Sequence, residues 1–190
     1  MATTATVTVS SDIAYTVVDE IDANNVNRYS RALDYSLIYN YGTGVIGTGS
    51  GSPSNSQVNL FVTSSGHVSG GEQVIIDFKS YNKYTLGSNY TLEFDELKGI
   101  VVENNSSGTG MSLNLVATGT DAFTNIFNGG SGNMQIHPLG TYMYTDLYGT
   151  QVETNNKLLY INNDTVTGID YTMIVVGVDT GLVSDEIGTP

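Results

Sequence analysis

Alternation of apolar and polar residues with a period of two recurs along this chain, and it limits the available folds more than any other feature. In Asp34 to Tyr41, Tyr35, Leu37, Tyr39 and Tyr41 fall on one face and Asp34, Ser36 and Asn40 on the other. Val58, Leu60 and Val62 repeat the pattern in QVNLFVT, as do Val74, Ile76 and Phe78 in EQVIIDFKS. Leu92 and Phe94 alternate with Glu93 and Asp95, and Met111, Leu113, Leu115 and Ala117 alternate with Ser112 and Asn114. Successive side chains of a strand point to opposite faces, so these segments read as strands with one buried face. Ile100 to Glu103 is a short, nearly continuous apolar run suited to a central strand. Met134 to His137, Tyr142 to Tyr144, Lys157 to Asn162 and Tyr171 to Val178 complete the set. Turn residues punctuate the chain about every eight to twelve positions, the spacing of a sandwich or barrel.

The remaining segments are less regular. Thr6 to Ser10 and Ile13 to Val18 read as two short strands around Ser11 and Asp12, forming an N-terminal arm or a first hairpin. Asp22 to Leu33 has weak helical spacing and reads as a turn or a single helical turn. Residues 42–56, GTGVIGTGSGSPSNS, form a long loop or a short hairpin through Val45 and Ile46. Ser64 to Gly71 reads as a turn-rich connector, and Asn128-Gly129 as a hairpin turn, because both residue types tolerate positive φ. The expected organisation is an N-terminal β arm and turn over 1–33, a β-sandwich over 34–178, and a tail over 179–190. No repeat of fixed period is present.

Composition sharpens this reading. The chain has 190 residues, and 23 Thr, 18 Ser and 18 Asn stand beside 22 Gly, while only 13% of residues are charged. Thirteen Tyr and five Phe separate it from disordered chains, which are poor in aromatic residues. A domain of this size buries about 70% of its unfolded surface, enough for a core without staples. The absence of cysteine excludes disulfides, thiolate metal sites and a cysteine nucleophile. Six Lys and Arg against nineteen Asp and Glu give a formal charge of -13, which argues against direct nucleic-acid binding and against anionic membrane surfaces. MATTATVTVSSD has neither a basic start nor an apolar run, so no signal peptide is expected, and no segment has the apolar length of a membrane helix.

Catalytic motifs are thin. Gly42 to Gly47 matches G-x-G-x-x-G, but TGSGSPS follows where a dinucleotide site needs a helix. His67 has Ser64, Ser65 and Asp77 nearby in sequence, and His137 precedes Pro138; neither arrangement specifies a triad. The chain is therefore not expected to be an enzyme. Two carboxylate groups, Asp19, Glu20 and Asp22, and Glu93 with Asp95, are weak candidates to hold a hard cation such as calcium. Asn162, Asn163, Asp164 and Asp170 offer a third such cluster. Their ordinary reading is solvated acids that discourage edge-to-edge aggregation. No resident cofactor is expected.

Tyrosines fall in three groups: Tyr35, Tyr39 and Tyr41; Tyr81, Tyr84 and Tyr90; and Tyr142, Tyr144 and Tyr148. The first and third are interface candidates, since Tyr is amphipathic and common at interfaces and in sugar-binding grooves. Equally, in a chain without Trp, Tyr can simply fill half-buried rows of a sheet. The N-x-S/T triplets at Asn89, Asn104, Asn105 and Asn163 are chance products of an Asn- and Thr-rich chain.

From Val58 to Val178 the order EQVIIDF, NYTLEFDELKGIVVENNSS, MSLNLVA, FNGGSGNMQIHPLG, TYMYTD, LLYINND and YTMIVVGV resembles the single jelly-roll or β-sandwich proteins of bacteriophage virions. The resemblance implies an all-β fold, a single jelly-roll-like antiparallel β-sandwich with an extended N-terminal arm. It also implies a structural protein of the particle exterior, a capsid decoration or cement protein or a minor capsid protein. Such a protein associates with itself, usually as a homotrimer, and with the major capsid protein lattice. It would be made and assembled in the host cytoplasm and would reside in the virion. The alternatives are a carbohydrate- or receptor-binding β-sandwich module and a subunit of a self-assembling surface filament.

Overall fold

The computed structural model describes the backbone of residues 6–22, 25–41, 57–85, 88–127 and 132–180, and the side chains of 58–82, 91–127, 132–146 and 149–180. Two long strands come first, β1 (Thr6–Asp22) and β2 (Asn25–Tyr41), followed by the two-residue β3 (Gln57–Val58). Ten more strands follow: β4 (Leu60–Val68), β5 (Gln73–Asp77), β6 (Tyr81–Thr85), β7 (Ser88–Leu92), β8 (Glu96–Asn104), β9 (Leu113–Val116), β10 (Asn133–Ile136), β11 (Thr141–Gln151), β12 (Leu158–Asn163) and β13 (Ile169–Val178). A single 3-10 turn, Asn125–Phe127, precedes β10.

The fold is an all-β antiparallel sandwich. One four-stranded sheet has the order β11-β8-β13-β4 and the other β10-β9-β12-β5. Ile100 and Val102 of β8 and Ile169, Met173 and Val175 of β13 share one core cluster with Leu113 and Leu115 of β9 and Leu159 and Ile161 of β12. The alternation read in the sequence is thus what supplies two inner faces. Each such side chain stabilises the fold by about 1.5–3 kcal/mol on burial. An aromatic knot closes one end of the core. Phe78 meets Phe123 edge to face at 5.4 Å and Phe94 at 6.1 Å, and Tyr81 meets Phe94 at 6.4 Å. The small hairpin β6-β7 leads away from this knot, with Tyr81 opposite Leu92.

Four segments differ from the sequence reading. Thr6 to Asp22 is one continuous strand, and the segment expected to turn after Asp22 is the first half of β2. The two pair antiparallel from Thr6 opposite Asn40 to Asp22 opposite Asn25, so Asp34 to Tyr41, expected to open the sandwich, pairs with the arm instead. Asp22 to Leu33 has no strong period of its own, so cross-strand pairing overrides its faint helical spacing, whereas the alternation of Asp34 to Tyr41 marks a strand without recording which strand it pairs with. The Ser64 to Gly71 connector is also shorter than expected. Ser64 to Val68 continues β4, held by β13 in a register that sets Ser65 opposite Thr172 and His67 opposite Asp170. The Asn128-Gly129 turn and the loop over 42–56 lie outside the described residues.

Two buried asparagines end strands in the same way. At the end of β8, Asn104 Nδ2 donates to the carbonyls of Met111 and Ile136, while its Oδ1 accepts from the Ser106 amide and hydroxyl. At the end of β12, Asn163 Nδ2 donates to the carbonyls of Val68 and Thr167, while its Oδ1 accepts from the Thr165 amide and hydroxyl. Each side chain uses both donors and both acceptor sites, which makes full burial affordable in free energy. Two of the N-x-S/T triplets are therefore strand-ending turns in which the Ser or Thr hydrogen-bonds its own Asn.

Candidate binding surface

The edge strands define the two open sides of the sandwich. β4 and β5 are edges on one side, and β10 and β11 on the other. Among the described residues the exposed large apolar side chains include Phe61 on β4, Ile75 on β5, Met134 on β10 and Leu139 in the β10–β11 turn. Apolar groups on sheet edges are where a protein meets a partner or must defend itself from one.

A groove of about 480 Å³ opens between β4 and β5. Ser64 and Ser65 of β4 form one wall and Ile75, Ile76 and Asp77 of β5 the other. Tyr171 of β13 and the segment Ser80, Tyr81 and Asn82 complete it. Tyr171 reaches the groove because its cross-strand partner is Gly66. A Cβ on Gly66 would stand 2.5 Å from Tyr171 Cζ and Oη, so only glycine leaves room for the ring to run beneath β4. Burial pushes the Tyr171 phenol above its ordinary pKa, and the nearby Tyr81 adds to the shift. Asp77 is fixed from two directions, its Oδ1 accepting from the Lys79 amide at 2.8 Å and its Oδ2 from Lys157 Nζ at 3.0 Å.

A smaller groove of about 200 Å³ lies between β10 and β11, lined by Met134, Ile136, His137 and Tyr142. Here two of the expected interface tyrosines have internal work. Tyr142 and Tyr144 pack partly buried against the core; the Tyr142 hydroxyl donates to the Ile126 carbonyl at 3.2 Å, and the Tyr144 hydroxyl shares a 2.6 Å hydrogen bond with Thr150. Burial is the leading cause that raises both phenol pKa values. Tyr35, Tyr39 and Tyr41 occupy alternate positions of β2, and Tyr148 lies in β11; their side chains are outside the described residues.

The candidate cation ligands are placed as follows. Asp19, Glu20 and Asp22 lie at the end of β1 with side chains outside the described residues. Glu93 and Asp95 gather a lysine: Lys79 Nζ is 2.6 Å from Asp95 Oδ1 and 3.4 Å from Glu93 Oε1. The Thr180 amide donates to Asp95 Oδ2 at 2.8 Å. Asn163 is consumed by its turn, and Asp164 Oδ2 accepts from Asn114 Nδ2 at 2.6 Å. Among the described residues no three His, Asp or Glu side chains converge as metal ligands. His67 Nδ1 lies 2.7 Å from Asp170 Oδ1 on the exposed outer face, and the Asp77 considered beside it lines the groove between the sheets. His137 Nδ1 is 3.2 Å from Ser112 Oγ.

The sequence reading missed the most deeply buried charges. Lys98 Nζ lies 2.8 Å from Glu96 Oε2, with side chains 0% and 1% exposed. Lys98 sits where registers slip on both sides. Leu97 and Gly99 oppose Gly177 and Val176 on β13, and they oppose Thr150 and Thr145 on β11. Lys98 is thus the extra residue of a bulge against β13, while β11 makes a four-residue excursion across from it. Gly149, at φ +83°, closes that excursion directly over the Glu96 and Lys98 side chains. The sequence signal was the i, i+2 spacing of Glu96 and Lys98 beside the apolar run, which looks the same as an exposed pair.

No family model matches the chain, and no curated protein matches it. Among solved structures, the crystal structure of the Yersinia pseudotuberculosis-derived mitogen is similar over 69% of this chain and 96% of that chain, at 13% identity and a TM-score of 0.33. That score is too low to extend the mitogen's topology or properties to this chain. Among the described residues no helix is long and apolar enough to cross a membrane.

Proposed function

We propose that this protein is a structural subunit of a phage particle, seated on the exterior of the capsid lattice, which it binds and stabilises without catalysis. The observation that carries the reading is the arm. β1 and β2 each have seventeen residues and pair along their whole length, against eleven residues in β11. A strand of that length spans about 55 Å at roughly 3.3 Å per residue. An isolated two-stranded ribbon is marginal in water, and among the described residues β2 pairs on its other edge with just the two-residue β3. Such a ribbon is best explained by a partner surface that it lies on, reached by strand pairing or by its apolar positions.

Further support comes from the strand order. We read the pairing of β11-β8-β13-β4 with β10-β9-β12-β5 as that of a jelly roll, an architecture used by viral capsid proteins among others. The net charge of -13 suits an exterior subunit kept apart from its own kind in solution. The test is whether a major capsid gene adjoins its own, followed by co-sedimentation of the purified protein with empty shells of that capsid protein, with its mass and symmetry measured in solution. Saturable binding of a trimer, weakened when 1–41 are removed, is the expected result. A monomer that leaves the shells unoccupied at micromolar concentration sinks the reading.

A further inference from the structure

We propose that the groove between β4 and β5 is a binding site for a neutral saccharide. Two tyrosines form its floor, Tyr171 at 5% and Tyr81 at 8% exposure, and neither hydroxyl has a hydrogen-bond partner among the described residues. The rings are buried, and neither hydroxyl oxygen is among the buried atoms left without a partner, so both hydroxyls open onto the groove. The groove's volume of about 480 Å³ falls within the range of about 300–1,000 Å³ typical of small-ligand sites. A polar ligand entering it meets two hydroxyls that no described protein group engages.

The rest of the lining defines the ligand's chemistry. The Ser64 and Ser80 hydroxyls and the Asn82 amide can each donate and accept, as the vicinal hydroxyls of a sugar require, while Ser65 points to the outer face of β4. Asn82 Oδ1 is occupied by the Thr91 hydroxyl, which leaves its amide hydrogens for the groove. Asp77, held in place by Lys79 and Lys157, retains acceptor capacity for ligand hydroxyls. Ile76, on the inner face of β5, offers an apolar surface for the C–H face of a pyranose ring. No lysine or arginine lines the groove and its one carboxylate, Asp77, is already paired with Lys157, so no free cation is offered to phosphate, sulfate or acidic sugars. An extended peptide, which would pair with the backbone edge of β4 or β5, is the opposing outcome of the test. The site belongs to the single subunit and does not depend on the particle reading.

The test uses the full chain and its own tyrosine fluorescence, since there is no tryptophan. Methyl glycosides of glucose, galactose and mannose, and the disaccharides lactose, maltose and cellobiose, are titrated to tens of millimolar. A saturable response to at least one is expected, with glucuronate weaker. Tyr171→Phe and Tyr81→Phe, which remove only the hydroxyl, should each weaken binding about fivefold at unchanged melting temperature, the loss of one net hydrogen bond. Asn82→Ala on the exposed rim should weaken it similarly and keeps the test readable if either Phe variant folds poorly. No saturable response to any neutral saccharide overturns the proposal. So does an affinity untouched by all three substitutions, or a neutral extended peptide that binds and is not displaced by sugar.

Discussion

Tyr171 and Gly66 are cross-strand partners whose contact shapes the open side of the sandwich: the phenol occupies the place where any side chain on Gly66 would stand. Strand glycines usually weaken a sheet, but an aromatic partner covers the exposed backbone and recovers part of the loss. Gly66→Ala should therefore destabilise the fold by about 1–3 kcal/mol, the range for overpacking, despite alanine's better strand propensity. Thermal unfolding checks this, and Gly66→Ala combined with Tyr171→Leu should recover part of the loss. An alanine variant as stable as the parent would contradict it.

Asn163 offers a second test. Its amide joins β4, the end of β12 and the loop to β13 through four hydrogen bonds at 1% exposure. Asn163→Ala strands the Val68 and Thr167 carbonyls and should cost about 2–3 kcal/mol. Asn163→Asp is nearly isosteric but turns donors into acceptors that face two carbonyls, so it should be worse at pH 7 than at pH 4. Chemical denaturation at both values measures the difference. Asn105→Ala, at an exposed asparagine next to Asn104 whose side chain bonds the Thr172 hydroxyl, should stay within about 0.5 kcal/mol of the parent.

The Lys79–Asp95 pair predicts a pH window. Burial alone would raise the Asp95 pKa, but hydrogen bonds from Lys79 and Thr180 outweigh it and hold the carboxyl below its ordinary 3.8. Burial would likewise lower Lys79, but Asp95 and Glu93 together hold it above 10.5. The depressed acid contributes stability above pH 3.8 that is lost as pH falls through its folded pKa. The raised lysine contributes stability below pH 10.5 that is lost as pH rises through its folded pKa. The melting-temperature gap between the parent and Lys79→Met should be level between those limits and narrow beyond each. A gap independent of pH would show that the loss is packing alone.

The buried Glu96–Lys98 pair predicts strong coupling. Removing one partner of such a pair costs about 3–5 kcal/mol because the other charge stays buried. Glu96→Gln and Lys98→Met should each fall in that range, and the double variant should cost clearly less than their sum. A double-mutant cycle from denaturant unfolding measures this, and additivity within about 0.5 kcal/mol would refute the coupling.

What the sequence determined by itself is the fold class and most of the core. The period-two rows at Val58, Leu60 and Val62, and at Leu113 and Leu115, needed no partner to be read, because side-chain alternation is a property of each strand alone. Only the tertiary structure decided what depends on pairing across long separations. It joined Thr6–Asp22 to Asn25–Tyr41 as one ribbon, placed Tyr171 beneath Gly66, and sank Lys98 and Glu96 under Gly149. It also turned Asn104 and Asn163 from chance triplets into the buried ends of strands. Register and bulges come from the balance of many weak contacts between distant segments, and no local pattern records which asparagine, tyrosine or lysine that balance will bury.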